Sequence, residues 1–126
     1  MKLRIRGNLL RFRLGRSEVH SFGRTGKIEA VVKFGPGKND FCYALEKISA
    51  NEFSGLFEDG KITVRVPELL VRRWIESEDV GIQGGQTWDD QTELNFLIEK
   101  DFVCLNAHND EDQSDRYPHP KGGEPC

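Results

Sequence analysis

Residues 1–14, MKLRIRGNLLRFRL, decide how the rest of the chain folds, because they read as a β-hairpin with one apolar and one cationic face. A two-residue turn at Gly7-Asn8 pairs Ile5 with Leu10 and Leu3 with Phe12, and it sets Arg4 opposite Arg11 and Lys2 opposite Arg13. The apolar face needs a core to lie on. The cationic face has a different need, since like charges directly across a strand pair destabilise it. Arg4, Arg6, Arg11 and Arg13 therefore require open water, acids on neighbouring strands or tail, or an anionic ligand.

Outward from the hairpin, Ser17 is placed to cap a short helix of about one to two turns. Glu18 stands in its first turn, Val19 and Phe22 share one side, and Gly23 is suited to end it. The runs KIEAVVKF and DFCYALEKI, separated by Gly35-Pro36-Gly37, predict a second hairpin in which Phe41, Tyr43 and Leu45 share an apolar face. SGLFEDGKITVRV, residues 54–66, predicts a third around Asp59-Gly60, with Ile62, Val64 and Val66 inward and Thr63 and Arg65 outward. Residues 67–76 predict a longer helix. Pro67 suits its first turn, Glu68 complements its dipole, and Leu70, Val71, Trp74 and Ile75 form a stripe that closes over the sheet. After a short VGI segment, Gly84-Gly85 and TWDDQ, the run LNFLIEKDFVCL predicts a long central strand with a bulge, because Leu97 and then Val103 and Leu105 break the parity of Leu94, Phe96 and Ile98. No internal repeat is evident.

These elements define an α+β fold: a predominantly antiparallel twisted sheet, or a partly closed barrel, of about six strands with one short and one longer helix. The expected domain covers residues 1–106. Residues 107–126 hold acids, prolines and glycines with almost no apolar side chain except Tyr117, and predict a mobile tail. A chain of 126 residues can bury enough surface to fold without disulfides or metal. Cys42, Cys104 and Cys126 are an odd set without a framework spacing, which points to free thiols and the cytoplasm. No apolar run reaches the roughly 18 residues of a membrane span.

The net charge of −3 conceals a polarity along the chain. Lys2, Arg4, Arg6, Arg11, Arg13, Arg16, Arg24 and Lys27 come early with Glu18 as the only acid among them, whereas from Glu76 to Asp115 Lys100 is the only base. Nucleic acid is disfavoured as the partner of the basic face, because the chain is acidic as a whole and the face lacks an interleaved stacking platform. The bland alternative is a solvated face neutralised by Glu29, Glu46, Glu93 or Glu99, or by the tail. A sharper one is catalytic. The alternating charges of Arg4, Arg6, Arg11, Arg13, Lys27, Glu29, Glu46, Arg65 and Glu99 loosely resemble the triphosphate tunnel enzymes. That resemblance implies one interior in which bases hold a polyphosphate and acids a divalent metal; the opening ExExK pattern of that family is absent here.

Metal ligation finds little support. Cys104, His108, His119 and Cys126 match no compact zinc spacing, and Asp110, Glu111, Asp112 and Asp115 lack the glycine of an EF-hand. Cys42 has no basic neighbour in sequence to activate it, and no Ser, His and Asp set stands out. No cofactor and no catalytic residue is expected.

Three stretches carry a resemblance that spans nearly the whole chain: MKLRIRGNLLRFRLGRSEV, FEDGKITVRVP and EKDFVCLNAHNDEDQSDRYPHP. They resemble a family of small uncharacterised bacterial proteins. Its C-terminal motif is matched here by Cys104, Leu105, Glu111, Asp112, Ser114, Asp115, Tyr117, Pro118 and Pro120, with departures at His108, Gln113 and His119. The resemblance implies no activity, and it favours a docking role for the tail through Asp112, Asp115 and Tyr117. The expected function is a non-enzymatic cytoplasmic binding or adaptor domain for a protein partner or anionic ligand, with the triphosphate-type enzyme as the alternative. Asp112 and Asp115 are expected to fold back near Arg4, Arg11 or Arg13, with Tyr117 covering apolar surface beside them.

Overall fold

The computed structural model describes residues 1–37, 39–102 and 115–118. Its elements run β1 (Lys2–Arg6), β2 (Leu9–Leu14), α1 (Arg16–Thr25), β3 (Lys27–Val32), β4 (Phe41–Ile48), β5 (Ser54–Glu58), β6 (Lys61–Pro67), α2 (Glu68–Glu76), β7 (Gly81–Thr87) and β8 (Glu93–Lys100). The first hairpin has the expected register throughout, from Lys2 opposite Arg13 to Arg6 opposite Leu9. Gly7 at φ 55° opens its turn, and Asp59 and Gly60 at φ 52° and 73° make the turn between β5 and β6. Both are primed turns, whose twist matches that of the strands they join.

The strands form two separate four-stranded sheets, ordered β1-β2-β8-β7 and β3-β4-β6-β5; these are sheet A and sheet B below. They do not close into a barrel, and the fold is α+β with mostly antiparallel pairing. Among the described residues the strands number eight rather than about six, in part because the glycine-rich segment 81–87 is a full edge strand. Gly84 lets the Phe53 ring lie directly on β7, where a Cβ would collide with it.

The two sheets are built by two interlocked halves of a repeat, each sheet taking two strands from each half. Each half is a hairpin, a helix and two more antiparallel strands, and its second strand pairs in parallel with the last strand of the other half, β2 with β8 and β6 with β4. Leu10, Phe12, Leu14, Val19 and Phe22 recur as Ile62, Val64, Val66, Val71 and Trp74 at one constant offset. Backbone bonds recur too: Asn95 N–H donates to the Asn8 carbonyl (2.8 Å) as Cys42 N–H does to that of Gly60 (2.9 Å). The Lys47 and Lys100 amines each donate to a carbonyl at the end of the preceding helix, Gly23 O at 2.7 Å and Ser77 O at 2.8 Å. Most corresponding positions share apolar character rather than identity, Val19 and Val71 being an exception, which hides the repeat from a direct sequence comparison.

Inward-facing residues of both sheets and both helices make one core, in which Phe12, Leu14, Phe22, Leu45, Val64, Val66, Val71, Trp74 and Ile98 are fully buried. Each such side chain contributes roughly 1.5–3 kcal/mol by leaving water. Phe12 of sheet A meets Tyr43 of sheet B, with ring centroids 6.5 Å apart. The stripe of α2 closes over the sheets as expected, but Pro67 ends β6 and caps the helix instead of entering its first turn. Helix α1 is longer than expected. It passes through Gly23, where the lack of a side chain admits Ile75 of α2, and stops at Gly26 with φ 82°. Strand β8 is central and carries no bulge in its ladders, since Leu97 lies on the outer face opposite Arg11. No helix among the described residues is long and apolar enough to cross a membrane.

Candidate functional site

Alternation along β1 and β2 sends Leu3, Leu10, Phe12 and Leu14 to the core, so Lys2, Arg4, Arg6, Arg11 and Arg13 must stand on the outer face of sheet A. Two rows cross that face: Lys2, Arg13, Glu99 and Gly81, then Arg4, Arg11, Leu97 and Gln83. Glu99 is shared, accepting from Arg11 Nε and lying 3.6 Å from Arg13 Nε. One carboxylate thus answers two guanidinium groups. Arg4 and Arg6 are exposed and form no ion pair among the described residues.

The outer face of sheet B is built on the same plan with a different balance. There Glu29 accepts from Lys61 at 2.6 Å and lies 3.7 Å from Lys27, while Glu46 stands between Lys27 and Arg65 in register. The Lys61 hydrogen bond holds the Glu29 carboxyl below its ordinary pKa, and Glu29 raises that of Lys61 in return.

At the Lys2 end, the cationic face runs into a cleft of about 300 Å³ lined by Lys2, Arg13, Gly15, Glu18, Asp101, Asp115 and Arg116. Asp101 joins its two sides, 3.4 Å from Lys2 and 3.5 Å from Arg116. Residues 115–118 lie against the domain here. The Asp115 carbonyl accepts from Arg16 N–H at 2.8 Å, and its carboxylate accepts from Ser17 N–H at 3.0 Å and from the Ser17 hydroxyl at 2.9 Å. Gly15 is the N-cap of α1, where Glu18 accepts from the Gly15 N–H at 2.9 Å, and Asp115 adds a capping carboxylate from outside the helix, a role that Ser17 was expected to fill; these Asp115 hydrogen bonds go to the helix rather than to Arg4, Arg11 or Arg13. Gly15 permits the approach, because a Cβ there would meet the Asp115 side chain and carbonyl.

Tyr117 covers apolar surface. Its ring packs against the core and lies 5.4 Å from that of Phe102, and its N–H donates to Asp101 O at 2.6 Å. The buried Lys100 amine sits 5.5 Å from the Tyr117 ring and 5.9 Å from that of Trp74. Burial lowers the pKa of Lys100 and raises that of Tyr117.

The charges of the catalytic alternative do not line one interior. Arg4, Arg6, Arg11, Arg13 and Glu99 stand on the outer face of sheet A, and Lys27, Glu29, Glu46 and Arg65 on that of sheet B, while side chains such as Phe12, Tyr43 and Phe96 fill the space between. Among the described residues no group of three or more His, Cys, Asp or Glu could hold a metal ion. Asp112, Cys104, His108, His119 and Cys126 lie outside the described residues, as do Asp110 and Glu111. Asp101 and Arg116 are cleft residues that sequence alone does not single out, and sequence places Lys2 opposite Arg13 without marking it as a site residue. Register was the usable signal for Lys2, which shares the row of Arg13 and Glu99.

Fold and face together define a pseudo-symmetric α+β module of two sheets, one of which has an outer face that is predominantly cationic among the described residues. The chain belongs to DUF7009, a family of unknown function, which it matches over residues 1–121. No curated protein and no solved structure matches it.

Proposed function

We propose that this protein is a non-enzymatic cytoplasmic binding or adaptor module that takes an anionic partner on the outer face of sheet A. The observation that supports it is the charge balance of that face among the described residues: Arg4, Arg6, Arg11 and Arg13 share it with Glu93 and Glu99, and Glu99 is already shared by two arginines. Cations gathered on one sheet face concentrate an anionic ligand and speed its capture. Asp115 lines the same cleft as Arg13, so an anion entering there competes with the capping carboxylate for the neighbouring cations. In this reading Asp115 and Tyr117 anchor the docking segment, and Asp112 extends it.

A thermal-shift screen with polyglutamate, tripolyphosphate, ATP, Mg²⁺ and Zn²⁺ tests the proposal. A ligand present at a hundred times its Kd stabilises the native state by about 2.7 kcal/mol. The expected result is a salt-sensitive rise with polyglutamate that Arg4→Glu with Arg6→Glu removes. A rise that requires ATP or tripolyphosphate together with Mg²⁺ would favour the enzyme instead. Tight binding of duplex DNA with a steep salt slope would return nucleic acid to consideration.

A further inference from the structure

β1 is the end strand of sheet A, and hairpin geometry determines what its free edge offers. With a two-residue turn, the closing pair Arg6–Leu9 exchanges both backbone hydrogen bonds, as do Arg4–Arg11 and Lys2–Arg13. The N–H and C=O groups of Leu3 and Ile5 then point away from β2. The other half of the molecule shows what normally happens to such groups. Gly55 on β5 is the counterpart of Leu3, and its N–H points outward and donates to Gln86 Oε1 of β7 at 2.9 Å. β5 and β7 touch along this seam, and the Phe53 ring fills it over Gly84.

No hydrogen bond like that of Gly55 to Gln86 joins β1 to β3, the strands at the equivalent positions, among the described residues. Val32 stands where Gln86 does in the repeat, and it has no group with which to bond Leu3. Ile5 is 56% exposed, and Val31 and Val32 on β3 are 46% and 41% exposed. One seam of the pseudo-symmetric pair is thus sealed, while at the other the outward N–H and C=O groups of Leu3 and Ile5 have no hydrogen-bond partner among the described residues and are flanked by apolar side chains.

The side chains along that edge specify its occupant. Lys2, Arg4 and Arg6 line its outer side, and Leu3 and Ile5 its inner side. A second copy of β1 would bring arginine rows alongside each other, and cations on an edge strand guard against such self-pairing. A strand with acids on its outer side and aliphatic residues on its inner side meets both rows favourably. From this we infer that β1 accepts an extended segment of a partner protein, alternating acidic and aliphatic residues, as an added strand of sheet A. Main-chain hydrogen bonds to Leu3 and Ile5 would supply affinity, and the alternating side chains specificity. The inference rests on the proposed anion-binding role of the face and names the partner and its mode of binding.

The test uses the full chain and a fluorescein-labelled peptide of alternating Glu and Val, with two comparators. One has the same composition in separate blocks of Glu and Val. The other keeps the alternation but is N-methylated at the residues whose N–H groups would face β1. Strand addition predicts saturable binding of the alternating peptide, with the amide signals of Leu3 and Ile5 moving most. It also predicts a loss of at least roughly tenfold in affinity for either comparator, and for the exposed-site variant Arg4→Glu with Arg6→Glu. Equal binding of all three peptides overturns the inference and leaves the anion-binding role standing. Failure of every peptide, of polyglutamate and of tripolyphosphate overturns both. Self-association in sedimentation equilibrium that Ile5→Lys abolishes would make a second copy the occupant, and would equally overturn the inference.

Discussion

Sheets A and B come from one architectural unit used twice, yet they differ where they meet solvent. Both carry an Arg–Glu pair at the same place in the ladder, Arg13 beside Glu99 and Arg65 beside Glu46. Sheet B surrounds its pair with Lys27, Lys61 and Glu29 in mutual contact; sheet A surrounds its pair with Arg4, Arg6 and Arg11. The buried halves answer to the same packing demand and have stayed alike. The exposed halves are free of that demand and have diverged, so the divergence marks where a function is best sought.

The comparison breaks most visibly if the cores are not equivalent. Trp74→Ala and Phe22→Ala remove corresponding, fully buried side chains and should each cost about 3–5 kcal/mol in chemical denaturation. A cost below about 1 kcal/mol for either would show that its half is not part of a shared core. Next in size is the seam. Gly84→Ala drives a methyl group into the Phe53 ring and should cost about 1–3 kcal/mol. Ala30→Gly, at the matching place on β3, should cost only about 0.5–1 kcal/mol, the ordinary backbone penalty.

Asp115→Ala probes an asymmetry between the helices, since the N-terminus of α1 is capped by its own Glu18 and by Asp115 of the C-terminal segment, while α2 makes no side-chain capping bond. A loss of about 0.5–2 kcal/mol is expected, with faster amide exchange at Arg16 and Ser17. Smaller still are the faces. Glu99→Gln and Glu46→Gln should each change stability by no more than about 1 kcal/mol, but only Glu99→Gln should strengthen binding of polyglutamate. Least of all is the pH effect on sheet B. The Lys61 bond lowers the pKa of Glu29, so its stabilising contribution is present above the ordinary value of 4.5 and is lost as pH falls through the lowered one. The difference in Tm between the wild type and Lys61→Met should therefore shrink on acidification and vanish below that range.

Local chemistry was legible in the sequence and distant pairing was not. Gly7-Asn8 and Asp59-Gly60 set their hairpins because a two-residue turn determines every pair that follows it. The α2 stripe was legible because Leu70, Val71, Trp74 and Ile75 repeat with the helix period. β7 escaped because Gly84 and Gly85 carry no pattern of their own, their role being to make room for a ring from elsewhere. Gly23 resembles a helix stop because glycine commonly ends helices, yet here it is a gap for Ile75. At the site, the cations of the first hairpin could be placed on one face from alternation alone. That Glu99 would serve Arg11 and Arg13, and that Asp115 would cap α1, depended on contacts across most of the chain.

The parallel pairing of β2 with β8 has a consequence for synthesis on the ribosome. The first hairpin is made early, but the strand that completes its sheet is among the last described residues to emerge. Until residues 93–100 are released, Leu10, Phe12 and Leu14 have no β8 beside them and must wait exposed or loosely clustered. β4 has no such delay, since β6 follows it closely. Sheet B should accordingly form first during translation and sheet A close last, with the slow search that long-range strand pairing imposes. The cationic face of that waiting hairpin should keep it soluble, so that the charges proposed to recruit a partner in the finished protein would also guard the hairpin before sheet A is complete.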